Sequence, residues 1–218
     1  MTLALIHTRA LDGLQAPPVV VEVHVANGLP AFSLVGLADA EVREARDRVR
    51  AALLSSGFEF PTRRITVNLA PADLPKDSGR FDLPIALGLL AASGQLPALN
   101  LNDYEFAGEL SLTGSLRPVR GALALALASQ QAGRTLILPD ASGAEAALAE
   151  GASVRVAHTL REVCAHLMGE DQLPHPKNPD LSHLASYPDL SDVKGQAQAR
   201  RALEIAATGG HALFKAYT

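Results

Sequence analysis

The residues best suited to chemistry stand close together in one polar loop between a predicted strand and a predicted helix. Lys76 and Ser78 are two positions apart there, and a neutral lysine can activate a serine hydroxyl as a nucleophile. That chemistry requires a desolvated amine within hydrogen-bond reach of the hydroxyl, which a spacing of two in a loop does not ensure. A purely structural role for the loop is favoured. Asp77 or Ser78 would cap a turn, and Asp82 would cap the next helix. Lys76 and Arg80 would be solvated or paired with carboxylates.

Motifs for phosphate and metal binding are missing from the sequence. Neither G-x-x-x-x-G-K-[ST] nor G-x-G-x-x-G occurs. None of the seven histidines forms an H-E-x-x-H pair, and a single cysteine cannot build a structural zinc site. Cys164 lies in an apolar run, which predicts a buried core residue rather than a nucleophile. We therefore expect this part of the protein to hold no cofactor and no metal.

Basic side chains are the second feature with a possible binding role. The formal net charge is -4, whereas a domain that coats nucleic acid on its own is usually basic. Any DNA contact would therefore use a local patch or a ring of several copies. The candidates for that contact are Arg43, Arg46, Arg50, Lys76 and Arg80.

The elements that would position these residues begin with strands. Residues 19–25 and 31–35 are apolar runs separated by a turn signal, and together they predict a β-hairpin. A helix is expected to begin at Asp39 and to end at Gly57, with an apolar face formed by Val42, Ala45, Val49, Leu53 and Leu54.

The rest of the first 168 residues alternates between strands and helices, which predicts a mixed, layered architecture. An alternating strand over 64–69, with Ile65, Val67 and Leu69 facing inward, precedes an almost entirely apolar helix over 83–92. The remaining strands are predicted at 105–109, 135–138 and 153–157, and the remaining helices at 121–132, 141–149 and 159–168.

A change of composition after Gly169 predicts a domain boundary. Residues 169–188 contain four prolines among polar side chains, as is typical of a semi-rigid linker. A helical pattern returns at 196–207, and a lone helix cannot bury its own apolar face. We therefore predict a first domain over 1–168, a linker over 169–188, and an incomplete second domain over 189–218.

Several long runs are specific enough to compare with known families. GLPAFSLVGL at 28–37, VNLAPADLPK at 67–76 and SGRFDLPIA at 78–86 resemble the N-terminal domain of the ComM/YifB family of magnesium-chelatase-like AAA+ ATPases. Further runs at 189–196, 200–207 and 209–211 resemble the opening of the AAA+ module of that family. In the family a phosphate-binding loop follows almost at once, whereas residues 212–218 depart from the pattern. The resemblance thus implies that this chain stops before the ATP-binding loop.

The resemblance also implies a fold and a degenerate catalytic site. The N-terminal domain of the family is similar to the proteolytic domain of Lon proteases, an α+β fold with a mixed sheet packed with helices (the ribosomal protein domain-2-like superfold). The Lon motif P-K-D-G-P-S-A-G aligns with residues 75–82 and places the nucleophilic serine on Arg80, while the catalytic lysine falls on Leu123. Arginine forms no acyl intermediate and leucine takes up no proton, so we expect no peptidase activity. The degenerate Lon-like site comprises Lys76, Asp77, Ser78, Arg80, Asp82 and Leu123.

For the full-length protein the resemblance implies a hexameric ring that uses ATP and magnesium. Its expected partners are other copies of itself and DNA, in branch migration and recombination during natural transformation. The residues implied to lie near adenine are Val193, Lys194, Gly195 and Gln196.

We expect this fragment not to be an enzyme, to be cytoplasmic, and to make no membrane contact. The single cysteine excludes a disulfide framework, and no apolar stretch reaches the roughly 20 residues of a membrane span. Two alternative functions stay open: a part in magnesium insertion into a porphyrin, and a Ser-Lys hydrolase that uses Ser78.

Overall fold

The structure, a computed structural model, describes residues 2–36, 44–74, 79–97, 100–178 and 189–211. The chain divides into two compact units, residues 1–179 and 180–218. Within the described residues the first unit holds nine strands and five α-helices, and the second unit holds one α-helix. The predicted mixed α+β class is confirmed.

Four strands form the first sheet, in the spatial order β1-β2-β4-β3. β1 and β2 are antiparallel, as are β2 and β4, whereas β3 runs parallel to β4. Valines of β2 alternate with Glu22 and His24, so one face of the sheet is buried and the other is partly solvated. Ile65, Val67 and Leu69 of β4 face the core, as predicted. The strands are β1 (Thr2–Arg9), β2 (Pro18–Ala26), β3 (Ala31–Val35) and β4 (Arg64–Ala70).

The predicted hairpin over residues 19–35 is wrong. Both strands exist, but β2 already has β1 on one edge and β4 on the other, so β3 has no free edge of β2 to pair with. The chain instead crosses over, and β3 pairs with the far edge of β4. Strand β1 was not predicted from the sequence, and its partner strand begins nine positions after it ends.

Two helices cover the buried face of this sheet. Helix α2 (Asp82–Ser93) is buried on nearly all sides, as predicted, and it contacts β1 and β2. A Cβ atom on Gly88 would lie 2.5 Å from Cγ2 of Val23. The glycine therefore permits the close approach of helix and sheet.

Helix α1 (Ala45–Ser55) buries Ala45, Val49, Ala52 and Leu53. The prediction that Leu54 belongs to this face is wrong, since it is 54% exposed. It follows Leu53 by about 100° around the helix axis and therefore turns away from the core. The predicted helix start at Asp39 and Val42 of the predicted apolar face lie outside the described residues.

The second half of the unit is built on a parallel sheet in the order β5-β8-β9. The strand predicted at 105–109 is split, because the chain leaves this sheet at Ala107 and enters a short two-stranded ribbon. The helix predicted at 141–149 is reduced to one turn. The strands are β5 (Tyr104–Phe106), β6 (Glu109–Leu110), β7 (Leu116–Arg117), β8 (Thr135–Pro139) and β9 (Val154–Ala157), and the helices are α3 (Ala122–Gln131), α4 (Gly143–Ala146) and α5 (Leu160–Met168).

The first ten residues of the predicted linker belong to the first unit. The backbone N–H of Val156 donates to the carbonyl of Pro174 at 3.0 Å, and the Arg155 guanidinium donates to the carbonyl of Leu173 at 2.9 Å. The Leu173 side chain is buried in the main core. Residues 169–178 therefore pack against the domain instead of leaving it, and residues 179–188 lie outside the described part.

The second unit contains helix α6 (Ala197–Gly209), which confirms the helix predicted at 196–207. A short 3-10 turn, Leu190–Asp192, precedes it. The side chain of Asp189 accepts a hydrogen bond from the backbone N–H of Ser191 at 2.7 Å. Gly210 ends the helix in a left-handed conformation.

Candidate functional site

Of the residues predicted to form the degenerate Lon-like site, the structure describes three: Arg80, Asp82 and Leu123. Lys76, Asp77 and Ser78 lie outside the described residues. Arg80 lies in a 3-10 turn, Gly79–Phe81, directly before α2.

Backbone contacts tie this turn to the segment between β5 and β6. The N–H of Gly108 donates to the carbonyl of Arg80 at 3.0 Å, and the carbonyl of Gly108 accepts from the N–H of Leu83 at 2.9 Å. A Cβ atom on Gly79 would lie 2.5 Å from Cγ of Glu109. The turn is therefore closely packed, and the side chain of Arg80 is only 2% exposed.

Asp82 is fully buried and forms a bidentate ion pair with Arg48 of α1. The guanidinium Nε donates at 2.7 Å and a terminal nitrogen at 3.0 Å, while the N–H of Leu110 donates to the same carboxylate at 3.2 Å. Burial raises the pKa of Asp82 from 3.8 to about 6, and the Arg48 guanidinium opposes that rise. The pair thus joins α1, α2 and β6 around one buried carboxylate.

The predicted capping role of Asp82 is wrong. Phe81 holds the N-cap position, and Asp82 lies inside the first turn of α2. The role of Arg48 was not predicted from the sequence. A signal was present, because Arg48 lies three residues after buried Ala45 and four before buried Ala52, on one side of the helix.

Leu123 takes part in packing at the second replaced position. Its half-buried side chain packs against the hydrophobic cluster between α3 and the parallel sheet. Its backbone N–H donates to Oε1 of Glu145 at 3.2 Å. A leucine side chain has no atom that can accept a proton, so this position offers no base.

The candidate DNA-contact residues differ in how far their side chains are exposed. Arg46 and Arg50 are exposed on α1, whereas Arg80 is buried and presents no surface to a ligand. Arg43 and Lys76 lie outside the described residues. Of the five candidates, the structure therefore places two on the accessible surface.

Arg46 and Arg50 line an open groove with a part of the chain that the sequence analysis did not single out. The guanidinium carbon of Arg50 lies 5.3 Å from the ring centroid of Phe60, which is a cation–π arrangement. Phe32 lies beside Phe60 with a centroid separation of 6.4 Å. The groove is lined by Pro30, Ala31, Phe32, Arg46, Arg50, Phe60, Pro61, Thr62, Arg63 and Ile65.

A buried network around Glu105 was also missed from the sequence. Arg9 of β1 donates to both carboxylate oxygens of Glu105, one of them at 2.9 Å, and to the carbonyl of Ala16 at 2.8 Å. Ser129 and Arg134 donate to the same carboxylate. Because Glu105 is 1% exposed and its partners come from three parts of the chain, the network stabilises the fold rather than a surface site.

Cys164 is buried, as predicted, and burial raises its pKa to about 12. A thiol with that pKa is protonated at neutral pH and is a poor nucleophile.

Within the described ranges, no three histidine, cysteine or acidic side chains are grouped so that they could hold a metal ion. None of the helices in the described part of the chain is long and apolar enough to cross a membrane.

The residues predicted to lie near adenine form an exposed turn before α6. Gly195 and Gln196 both have positive φ angles, of 69° and 50°. Arg200 donates to the carbonyl of Val193 at 3.4 Å. The turn therefore presents Val193, Lys194, Gly195 and Gln196 at the surface of the second unit.

Comparison with known proteins gives matches along nearly the whole chain. The family described as subunit ChlI of Mg-chelatase matches residues 21–142, and the family described as magnesium chelatase, subunit ChlI, matches residues 189–216. Uncharacterized protein YifB of Salmonella typhimurium is 52% identical over 214 residues, which cover 98% of this chain and 42% of the relative.

Two further relatives are a competence protein and a Lon protease. Competence protein ComM of Haemophilus influenzae is 48% identical over 219 residues, covering 98% of this chain and 43% of the relative. Lon protease of Chloroflexus aurantiacus is 31% identical over 128 residues, covering 55% of this chain and 15% of the protease. The chain spans about two fifths of the length of its YifB and ComM relatives. It belongs to the YifB/ComM family of magnesium-chelatase-like proteins.

Proposed function

We propose that this chain is the non-catalytic, Lon-like front domain of a ComM-type AAA+ ATPase, and that it supports DNA binding and branch migration in recombination during natural transformation. One observation carries the proposal. Where the Lon alignment expects a nucleophilic serine and a lysine, the chain has buried Arg80 and half-buried Leu123. Neither side chain can serve as an acyl-forming nucleophile or as a base, and an open groove lined by arginines lies elsewhere on the domain.

The chemistry of the whole protein is assigned to its AAA+ module. We propose that the full-length protein works in the cytoplasm as a hexameric ring, that it binds ATP and magnesium, and that residues 193–196 lie near the adenine. The match of residues 189–216 to the magnesium chelatase family supports this assignment. Residues 1–178 would then contact DNA while the AAA+ module hydrolyses ATP, and they would catalyse no reaction of their own.

The absence of peptidase chemistry gives a direct prediction. We expect a serine-reactive phosphonate to leave Ser78 unmodified, because its aligned position is two residues from that of the Lon nucleophile and the lysine position holds Leu123. Mass spectrometry of the treated chain measures the adduct, and a Lon protease treated in parallel is the control. An adduct on Ser78 that disappears in Ser78→Ala would contradict the proposal and favour a Ser-Lys hydrolase.

The DNA-handling part of the proposal requires the full-length protein, extended to the length of its relatives. We expect ATP hydrolysis that rises when DNA is added, and ATP-dependent migration of a synthetic four-way junction. Reactions without ATP are the control. Absence of both ATP hydrolysis and junction migration would overturn the proposal.

The matched family descriptions favour one alternative, a part in magnesium insertion into a porphyrin. The Lon-like front domain argues against it, since a chelatase motor subunit is not expected to carry one. We expect no magnesium porphyrin to form when the full-length protein is mixed with chelatase partner subunits, ATP and a free porphyrin. Formation of the fluorescent magnesium product would establish the alternative.

A further inference from the structure

We propose that the groove between α1 and the segment before β4 is a binding site for single-stranded DNA, with Arg50 and Arg63 on the phosphates and Phe60 against a base. This inference rests on the proposed function, because it gives the DNA-handling domain a located contact surface. It adds Arg63 and the aromatic side chains to the contacts expected from the sequence.

The charge of the groove suits a polyanion. Three of the described residues that line it are arginines, and none of these described lining residues is acidic. Arg46 is paired with Asp47 at 3.0 Å, but both side chains are largely exposed, and such a pair is weak enough to be exchanged for a phosphate. No carboxylate of the described residues forms an ion pair with Arg50 or Arg63. In a chain with a net charge of -4, this groove is a local basic patch.

The aromatic side chains favour a single strand over a duplex. Phe60 and Phe32 are half-buried, and both line the groove. Arginines with interleaved aromatic rings are typical of sites that bind single strands, where bases stack on the rings while the backbone meets the cations. A duplex hides its base faces and would leave the apolar wall of the groove without a partner.

The Arg50 side chain is preorganised in the groove without a ligand. The Arg50 guanidinium is held over the Phe60 ring, so less side-chain entropy is lost when it binds a phosphate. The groove has a volume of about 180 Å³, below the roughly 300 Å³ at which enclosed small-molecule pockets begin. That size suits a phosphate with part of a base, as one step of a strand passing along the surface.

One nearby acid limits where the strand can run. Glu59 lines a neighbouring depression that shares Phe60, Pro61, Thr62 and Arg63 with the groove. Its carboxylate would repel a phosphate on that side. The strand is therefore expected to run from Arg63 toward Arg46 along α1, away from Glu59.

The test is fluorescence anisotropy of a labelled single-stranded oligonucleotide titrated with the 218-residue chain at several salt concentrations. Arg50→Ala with Arg63→Ala should lower the salt dependence of log Kd by about 1.4, since each phosphate contact on a single strand contributes about 0.7. Phe60→Leu should weaken binding at least about 5-fold, because stacking of one base is worth about 1–3 kcal/mol. Arg50→Lys keeps the charge, and we expect it to retain the salt dependence while binding more weakly.

Arg120→Ala is the matched control, because it removes one exposed positive charge that does not line the groove. We expect its affinity to stay within about twofold of the unmodified chain, and thermal unfolding of each variant checks that it is folded. Arginine variants of the groove that behave like Arg120→Ala, a chain that does not bind the strand, or a duplex of the same length that binds more tightly would each overturn the inference. The junction-migration assay on the full-length protein is independent of these results, so failure of the groove and failure of the proposed function are distinguishable.

Discussion

Replacing Arg48 with methionine is expected to lower the free energy of unfolding by about 3–5 kcal/mol at pH 8, and by clearly less at pH 5. Methionine keeps the apolar stem of the side chain but leaves the Asp82 carboxylate buried without its guanidinium partner. Breaking one side of a buried ion pair is costly, because an uncompensated charge remains in a region of low polarity.

The pH dependence follows from the direction of the pKa shift. Burial already raises the pKa of Asp82 to about 6 with Arg48 present, and loss of Arg48 would raise it further. A carboxyl whose folded pKa lies above its unfolded value is most compatible with folding at low pH, and stability falls as pH rises through the folded pKa. In the variant that fall extends above pH 6, so the difference from the unmodified chain grows toward pH 8.

Urea unfolding at pH 5 and pH 8 measures both quantities. Arg46→Met is the matched control, since Arg46 lies on the same helix and, among the described residues, forms an ion pair with exposed Asp47 alone. It should cost less than about 1 kcal/mol at either pH. Glu44 also acts on Arg48, so comparing Glu44→Gln in the unmodified chain and in the Arg48→Met background gives the part of the loss that comes from Glu44. An equal loss of stability at both pH values would contradict the role assigned to the Arg48–Asp82 pair.

The second large effect is expected at Glu105. Glu105→Gln keeps the shape of the side chain but removes the charge that offsets Arg9 and Arg134, and we expect it to lower the free energy of unfolding by about 3–5 kcal/mol. The Arg9 side chain is 8% exposed and cannot turn into solvent without breaking its bond to the Ala16 carbonyl.

A double variant tests whether the cost comes from the unpaired charge. Glu105→Leu with Arg9→Met replaces the main ion pair with apolar side chains and should recover much of the stability lost in Glu105→Gln, since such replacements are often neutral. Arg117→Ala, which breaks the exposed pair with Glu109, should cost less than about 1 kcal/mol. A cost below 1 kcal/mol for Glu105→Gln would contradict the account of this network.

Local sequence patterns were sufficient to predict an element and its buried face where the hydrophobic periodicity was strong. The alternation of Ile65, Val67 and Leu69 predicted β4 and its buried face, and the apolar run after Asp82 predicted α2. These signals depend on periodicity within a few residues. The start of α5 also followed its local signal, because Thr159 caps it through the N–H of Glu162 at 3.2 Å.

Strand pairing was not predictable from the same patterns. The turn at residues 27–30 favours a hairpin between β2 and β3. Instead, β1 pairs with that edge of β2 over eight residue pairs. The outward-facing Leu3 and Leu5 of β1 are 63% and 44% exposed, so this strand lacks the polar alternation that would have identified it. Tertiary pairing, rather than the local turn, therefore decides the topology.

The contacts around the candidate site were not predicted from the sequence. The resemblance to the Lon motif implied roles for positions 80 and 123, but it gave no information on burial. Arg48 meets Asp82 across 34 positions, and Arg9 meets Glu105 across 96. Pairs at such separations depend on how sheets and helices pack, which a single sequence does not encode in any local pattern.

We propose that this domain supports the DNA reaction of the full-length protein without any catalysis of its own. The most direct test compares junction migration by the full-length protein with migration by the same protein lacking residues 1–178, at equal rates of ATP hydrolysis. We predict that the shortened protein still hydrolyses ATP but migrates the junction at least about tenfold more slowly. Equal migration rates for the two proteins would contradict the claim.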